Sequence, residues 1–147
     1  MTIRPMTEQD LDAVVEIENA TFSQPWSKQG FLDTLKHKDT LYLVAEEKGE
    51  ILGYLGLWQS FEEADITNVA VKSTARRRGV ATALLKETRK QAGQRGIAAL
   101  TLEVRKSNEA AIRLYEKQGF CPAGIRPGFY EMPKEDAVIM WTVNEPG

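Results

Sequence analysis

The fold is decided by DITNVAV at residues 65–71, KSTARRRGVATALLKETRKQA at 72–92 and AALTLEV at 98–104. The first and third stretches are short and rich in β-branched and apolar residues, which is typical of buried strands. In the middle stretch Val80, Leu84 and Ala92 belong to a series with helical spacing that stops before Gly96. A strand, a helix and a second strand in this order predict a parallel strand pair with a right-handed crossover.

The rest of the chain is predicted from the same two periodicities. Strands are expected at Thr2–Pro5, Leu41–Glu46, Ile51–Ser60 and Ala137–Val143, with a turn over 47–50 between the second and third. A helix with an apolar stripe, interrupted by Glu18, is predicted between the N-cap Thr7 and the loop 22–27. Ser27 caps a second short helix, Lys28–Lys36, and Asn108 caps the helix that carries Tyr115. This alternation of strands and helices indicates an α/β protein (α+β by some schemes).

Composition excludes several classes of protein. The chain has 147 residues with 19 basic and 21 acidic side chains, a net charge of −2, which fits one domain over residues 1–147 and disfavours nucleic-acid binding through bulk charge. Cys121 is the only cysteine and His37 the only histidine, so an internal disulfide and a Cys-rich or His-rich metal centre are excluded. No apolar stretch is long enough to span a membrane, and the N-terminus lacks a signal-peptide pattern, so we expect a cytoplasmic protein without a membrane partner.

Residues 76–82 connect the first parallel strand to the helix, at the edge of the sheet where α/β proteins bind ligands. They are Arg76, Arg77, Arg78, Gly79, Val80, Ala81 and Thr82. Gly79 allows the backbone to approach a ligand, and the free amides of the first helical turn attract an anion. Three arginines oppose the helix dipole unless an anion neutralises them, so we interpret the segment as a pyrophosphate cradle, with a solvated helix start as the alternative. It is not a Walker loop, because no Gly-Lys-Ser/Thr follows.

The cradle resembles the acetyl-CoA signature of the GNAT superfamily of N-acetyltransferases, Gln/Arg-x-x-Gly-x-Gly/Ala, through Arg76, Gly79 and Ala81. The resemblance extends over essentially the whole chain. It includes Arg4-Pro5, Phe22–Ser27, Asn68–Val71, Leu102–Arg105, Ser107–Ala111 and Leu114–Phe120. The signature alone indicates the superfamily. The later segments, together with Pro25-Trp26-Ser27, resemble its RimI-type branch, the ribosomal-protein alanine N-acetyltransferases.

This resemblance implies the GNAT fold, a single mixed and mostly antiparallel sheet with a central parallel strand pair flanked by helices. It also implies acetyl-CoA as the acetyl donor and no metal. The pyrophosphate would lie on the cradle, and Asn108 matches a further cofactor contact, with a pure capping role as the alternative. The backbone of Val69, Ala70 and Val71 would pair with the pantetheine arm and the acetyl group if this strand separates from its parallel neighbour.

Glu103 and Tyr115 match the general base and the general acid of the family. Glu103 alternates with Leu102 and Val104, so its side chain lies on the face of the strand opposite to these apolar residues. The alternative to a general base is an ordinary surface glutamate. Acyl transfer to an amine needs a group that takes the amine proton. Tyr115 leans toward the sheet. It would donate a proton to the departing CoA thiolate; the alternative is a core tyrosine whose hydroxyl is already hydrogen-bonded.

The acceptor that the resemblance implies is the N-terminal alanine of a ribosomal protein. The residues that match its binding site are Phe22, Trp26, Phe129 and Tyr130. The alternative role for these aromatic side chains is ordinary loop packing. An α-amine suits a single carboxylate base, because its deprotonation near pH 7.4 costs about 0.5 kcal/mol against about 4 kcal/mol for lysine.

Two alternative functions remain. They are acetylation of a lysine or a small polyamine-like amine, and a non-catalytic CoA-binding module. A monomer or weak dimer is expected. Gly128-Phe129 replaces a polar residue and tyrosine that the family commonly has, so the acceptor sequence preference stays open.

Overall fold

The computed structural model describes residues 1–145. The strands are β1 (Thr2–Pro5), β2 (Thr40–Glu47), β3 (Glu50–Ser60), β4 (Glu63–Val71), β5 (Ala99–Arg105), β6 (Cys121–Tyr130) and β7 (Glu135–Val143). The α-helices are α1 (Leu11–Thr21), α2 (Lys28–Leu35), α3 (Val80–Gln94) and α4 (Glu109–Lys117), with short 3-10 turns at Glu8–Asp10 and Ser73–Ala75. Within the described range no helix is long and apolar enough to cross a membrane.

The strands form one mixed sheet in the order β1-β2-β3-β4-β5-β7-β6. β4 and β5 are parallel, and every other neighbouring pair is antiparallel. This arrangement confirms the predicted central parallel pair, which α3 connects. The predicted turn between β2 and β3 contracts to two residues, Lys48 and Gly49, which both have positive φ. Such a turn matches the twist of the strands that it joins.

The parallel ladder between β4 and β5 is short. The two strands pair over four residues each, and the last pair is Ile66 with Leu102. Thr67, the next residue of β4, is an extra residue opposite β3 and forms a β-bulge. A bulge bends its strand and increases the local twist. From residue 68 to residue 71, β4 therefore pairs with β3 alone, and a cleft opens between β4 and β5.

Two hydrophobic cores lie on opposite faces of the sheet. Alternate residues of β2 belong to different cores, since Leu43 packs with α3 and β5, whereas Tyr42 and Val44 pack with α1 and α2. The α3 face contains Leu84, Leu85, Leu100, Leu102, Tyr115 and Phe120. Each large side chain buried in this way contributes about 1.5–3 kcal/mol. The two cores hold the β4–α3–β5 unit between helical layers, and the cleft opens at the end of that unit.

Candidate active site

The loop between β4 and α3 enters the left-handed region twice. Arg77 has a φ of 64°, and Gly79, the N-cap of α3, has a φ of 75°. A Cβ atom added at Gly79 would meet nothing within 4 Å, so glycine is favoured here by its φ and not by a lack of space. Arg77 occupies a conformation that costs about 1 kcal/mol or more for a non-glycine residue. Strain of this kind is frequent where backbone approaches a ligand.

The first turn of α3 presents free backbone amides. Ala83 N donates to Gly79 O at 3.0 Å, which begins the helical ladder. The amides of Val80, Ala81 and Thr82 donate to no acceptor among residues 1–145. Free amides at a helix N-terminus carry partial positive charge and bind anions. The geometry of the predicted cradle is therefore that of an anion site.

The three arginines of the cradle differ in their surroundings. Arg78 pairs with Glu47, and this contact lowers the pKa of the Glu47 carboxyl. Arg76 and Arg77 have no carboxylate partner in the described part of the chain. Arg76 lines a cleft of about 490 Å³ that is also lined by Val71 and by the side of α1 that carries Ile17. Two of the three guanidinium groups are thus free to meet an anion.

The open edge of β4 carries two backbone amides that face the cleft. Lys72 N donates to Leu52 O at 2.7 Å, on the β3 side. Alternate residues of an antiparallel strand direct their amides to the same neighbour. The amide of Ala70 therefore points to β3, whereas those of Val69 and Val71 point to the edge that β5 has left.

Glu103 lies where the cleft begins. It follows Leu102, the last residue of β5 that pairs with β4, and on the other side of β5 it pairs with Ile139 of β7. Its side chain is 26% exposed, and Arg126 Nε lies 3.2 Å from its Oε1. The side chain of Arg126 is 55% exposed, so this ion pair is weak and open to exchange. The carboxylate is accessible to an amine.

Tyr115 is buried on the opposite side of the sheet, against Phe120, with ring centroids 5.9 Å apart. Its hydroxyl makes no hydrogen bond within the described residues and still keeps accessible surface. Burial raises the pKa of Tyr115, so the hydroxyl stays protonated. Asn108 begins the same helix, since its Oδ1 accepts from Ala111 N at 3.2 Å. The Asn108 cap is confirmed, and its amide nitrogen stays free for a second contact.

Tyr130 lies near both Glu103 and Tyr115. Burial and the negative charge of Glu103 raise the pKa of Tyr130 to about 12, while Arg105 acts in the opposite direction. The Arg105 guanidinium carbon lies 4.5 Å from the centroid of the Tyr130 ring. Phe129 packs edge-on against that ring, with centroids 5.0 Å apart, and is half exposed. The β6–β7 hairpin therefore brings an aromatic wall to the carboxylate.

The loop between α1 and α2 contains the other predicted acceptor residues. Trp26 is partly buried and packs against Phe31, with ring centroids 5.3 Å apart. Phe22 is 37% exposed. Part of the Trp26 side chain packs in the core, in agreement with the loop-packing alternative. Phe22 lies at the surface, where it can contact an acceptor.

Glu18 is a residue whose place the sequence did not indicate. Glu18 is only 2% exposed, and its carboxylate accepts a hydrogen bond from Trp26 N at 2.9 Å. The one available signal was the interruption of an apolar stripe by a charge. No group of three or more His, Cys, Asp or Glu side chains among residues 1–145 is arranged to hold a metal ion.

Residues 11–120 match the family model described as acetyltransferase (GNAT) family. The chain belongs to this family. It is 38% identical to the ribosomal protein bS18-alanine N-acetyltransferase of Haemophilus ducreyi, over 94% of this chain and 97% of that protein. The Escherichia coli (strain K12) protein of the same name is 36% identical over 95% of each chain. The crystal structure of the ribosomal-protein-S18-alanine N-acetyltransferase from Escherichia coli matches with a TM-score of 0.90 at 34% identity, covering 99% of this chain and 95% of that one.

This GNAT domain is an N-acetyltransferase, an acyltransferase of a family that uses acetyl-CoA. Its own geometry fits that donor. The free amides of Val80, Ala81 and Thr82 suit a pyrophosphate. The amides of Val69 and Val71 suit a partner that carries its own amides along the open edge of β4, as a pantetheine arm does.

Proposed function

We propose that this GNAT domain transfers the acetyl group of acetyl-CoA to the α-amine of an N-terminal alanine, in a ribosomal protein of the bS18 type. The observation that carries the proposal is the position of Glu103, an accessible carboxylate beside the point where β4 and β5 separate. The names of relatives that match over nearly their full length support the acceptor.

Binding of the donor is assigned to the cradle and the open strand edge. The pyrophosphate would be held by Arg76, Arg77, Arg78, Gly79, Val80, Ala81 and Thr82, and Arg78 would exchange its Glu47 partner for the phosphate. Val69 and Val71 would donate backbone hydrogen bonds to the pantetheine arm and to the acetyl oxygen as negative charge develops on it. Ala70 would contribute only through its position in the strand. Asn108 would add its free amide group.

Proton transfer is assigned to Glu103 and Tyr115. Acetyl-CoA supplies an activated thioester. Glu103 accepts a proton from the acceptor amine, directly or through a water, as the nitrogen forms its bond to the acetyl carbon. Tyr115 donates its hydroxyl proton to sulfur as the carbon–sulfur bond breaks. The hydroxyl without a protein partner supports a donor role over that of a satisfied core tyrosine, and burial, which raises the pKa of Tyr115, keeps its proton in place.

The acceptor would lie between the loop 22–27 and the β6–β7 hairpin. Phe22 and Trp26 come from the first of these and Tyr130 from the second. An α-amine is favoured over lysine because one carboxylate deprotonates an amine with a reference pKa near 7.8 more readily than one near 10.4.

A panel of peptides read by mass spectrometry tests the proposal. It contains the N-terminal peptide of a bS18 protein that begins with alanine, the same peptide with a blocked N-terminus and an added lysine, and a polyamine. We expect acetyl transfer to the free α-amine and none to the blocked peptide. Acetylation confined to lysine or the polyamine would contradict the acceptor, and CoA binding without transfer to any amine would indicate a non-catalytic module.

A further inference from the structure

A buried carboxylate joins the acceptor loop to the sheet. Glu18 in α1 is 2% exposed and accepts hydrogen bonds from the Tyr54 hydroxyl, from Trp26 N at 2.9 Å and from Asn68 Nδ2 at 3.5 Å. None of the ion pairs formed by residues 1–145 includes Glu18. Three donors from three different parts of the fold therefore hold one buried carboxylate.

Packing alone does not explain a glutamate at this position. Burying a carboxylate without a cation is unfavourable, and a hydrophobic residue of similar volume often stabilises a core at least as well. What the carboxylate adds is direction, because each hydrogen bond fixes one element relative to the others. The Glu18 backbone carbonyl also accepts from Phe22 N at 3.0 Å, so the same residue ends α1 and holds the loop that follows.

The strand end of this network reaches the bulge. Asn68 Oδ1 accepts from Thr67 Oγ1 at 2.7 Å and from the Tyr42 hydroxyl at 3.2 Å. Thr67 is the bulge residue at which β4 leaves β5. The Tyr42 ring lies over Gly56, where a Cβ atom would come within 2.1 Å of it, so only glycine fits there. The close packing of Tyr42 on Gly56 and the hydrogen bonds of the Glu18 network therefore both hold the bulge in place.

We propose that Glu18 is a positioning residue that sets the acceptor loop and the cofactor-facing edge of β4 in register with each other. Its contact with Trp26 N holds the loop 22–27, and its contact with Asn68 holds the bulge that precedes Val69 and Val71. The first contact acts on peptide binding and the second on the chemical step. This inference rests on the proposed function, since it assigns the loop to the acceptor.

The test replaces Glu18 by methionine, which keeps the volume and removes the hydrogen bonds, in the full-length chain. We expect Glu18→Met to fold, to raise KM for the alanine peptide about tenfold or more and to lower kcat by a similar factor. Binding of CoA to the cradle, measured by calorimetry, should change less than about threefold. Amide hydrogen exchange at Trp26 should become faster.

Tyr54→Phe is the matched control, because it removes one buried hydrogen bond to Glu18 but neither the loop contact nor the Asn68 contact. We expect it to lower Tm while KM and kcat stay within about twofold of wild type. Kinetic losses in Tyr54→Phe that equal those in Glu18→Met would overturn the proposal in favour of a structural role. Unchanged kinetics in Glu18→Met would overturn it as well.

Two further measurements keep the test decisive. Where Glu18→Met fails to fold, Glu18→Gln is read by the same criteria, because it keeps shape and one acceptor oxygen. If the wild-type chain acetylates no peptide, the proposed function fails, but Trp26 amide exchange still tests whether Glu18 holds the loop. Exchange at Trp26 that stays as slow as in wild type in the folded Glu18 variant would then contradict the positioning role.

Discussion

Nε of Arg126 lies 3.2 Å from Oε1 of Glu103, so the carboxylate proposed as the base is paired with a cation on β6. The guanidinium carbon of Arg126 lies 5.8 Å from the centroid of the Phe129 ring. An incoming amine therefore competes with the Arg126 guanidinium for the Glu103 carboxylate. The Arg126 side chain is more than half exposed, which makes exchange of this ion pair easy.

Arg126→Met should lower KM for the acceptor peptide by a factor of about 1.4 to 5, because an exposed ion pair contributes about 0.2–1 kcal/mol. We expect kcat to change less than KM. Steady-state kinetics at low and high salt check this, and the difference between the two chains should shrink as salt screens the pair. An unaltered KM at low salt would show that Arg126 does not compete with the acceptor.

Gly79→Asp should weaken acetyl-CoA binding by about tenfold or more, because it places a negative charge at the cradle. Gly79→Asn is the matched control, since asparagine has the same shape and also tolerates a positive φ. The difference between the two variants isolates the charge. Calorimetry that gives equal affinities for both variants would remove the pyrophosphate from this position.

Asp10 provides a pH-dependent stability test that involves none of the residues assigned to acetyl-CoA binding or proton transfer. Hydrogen bonds from Arg4, against the opposing effect of burial, lower the pKa of the Asp10 carboxyl. A lowered folded-state pKa adds stability above the unfolded pKa, and that stability disappears as the pH falls through the folded pKa. Asp10→Asn should therefore lose about 1–3 kcal/mol of unfolding free energy at pH 7 and progressively less below about pH 4.

Urea unfolding of Asp10→Asn and Glu46→Gln at pH 7 and below pH 4 checks this prediction. Glu46 also pairs with Arg4, at 3.1 Å, but it is more exposed, so Glu46→Gln should lose less stability than Asp10→Asn. Equal losses for Asp10→Asn at both pH values would show that its carboxylate charge does not contribute.

Tyr115→Phe should lower kcat by about two to four decades while acetyl-CoA binding is preserved. Because burial raises the pKa of Tyr115, the wild-type hydroxyl stays protonated through pH 10. We therefore expect no fall in wild-type kcat between pH 8 and pH 10 from ionisation of this group. An alkaline loss that Tyr115→Phe abolishes would contradict the raised pKa.

The central part of the fold could be predicted because its signals are local. The periodicity of 65–104 predicted β4, α3 and β5, and the structure begins β4 two residues earlier, at Glu63, since the preceding turn holds only Phe61 and Glu62. Ser27 caps α2 by accepting from Gly30 N, as its residue type predicted. The contacts that decide these elements lie within a few residues of each other.

Long-range features could not be predicted in this way. β6 contains two prolines and two glycines and is mostly exposed, so neither alternation nor β-propensity marks it as a strand. The donors to Glu18 include Tyr54 and Asn68, which are 36 and 50 residues away in sequence. Arg78 was grouped with two free arginines, but Glu47, 31 residues away, pairs with it. Such partners are fixed only by the tertiary fold.

The most direct test of the mechanism is kcat of Glu103→Gln on the best alanine peptide, with acetyl-CoA affinity measured on the same sample. We expect kcat to fall by about two to four decades with acetyl-CoA affinity unchanged, because only the proton acceptor is lost. The double variant with Tyr115→Phe should lose less than the product of the single losses, since both act in one transfer. A near-normal kcat in Glu103→Gln would contradict the assignment of Glu103 as the base.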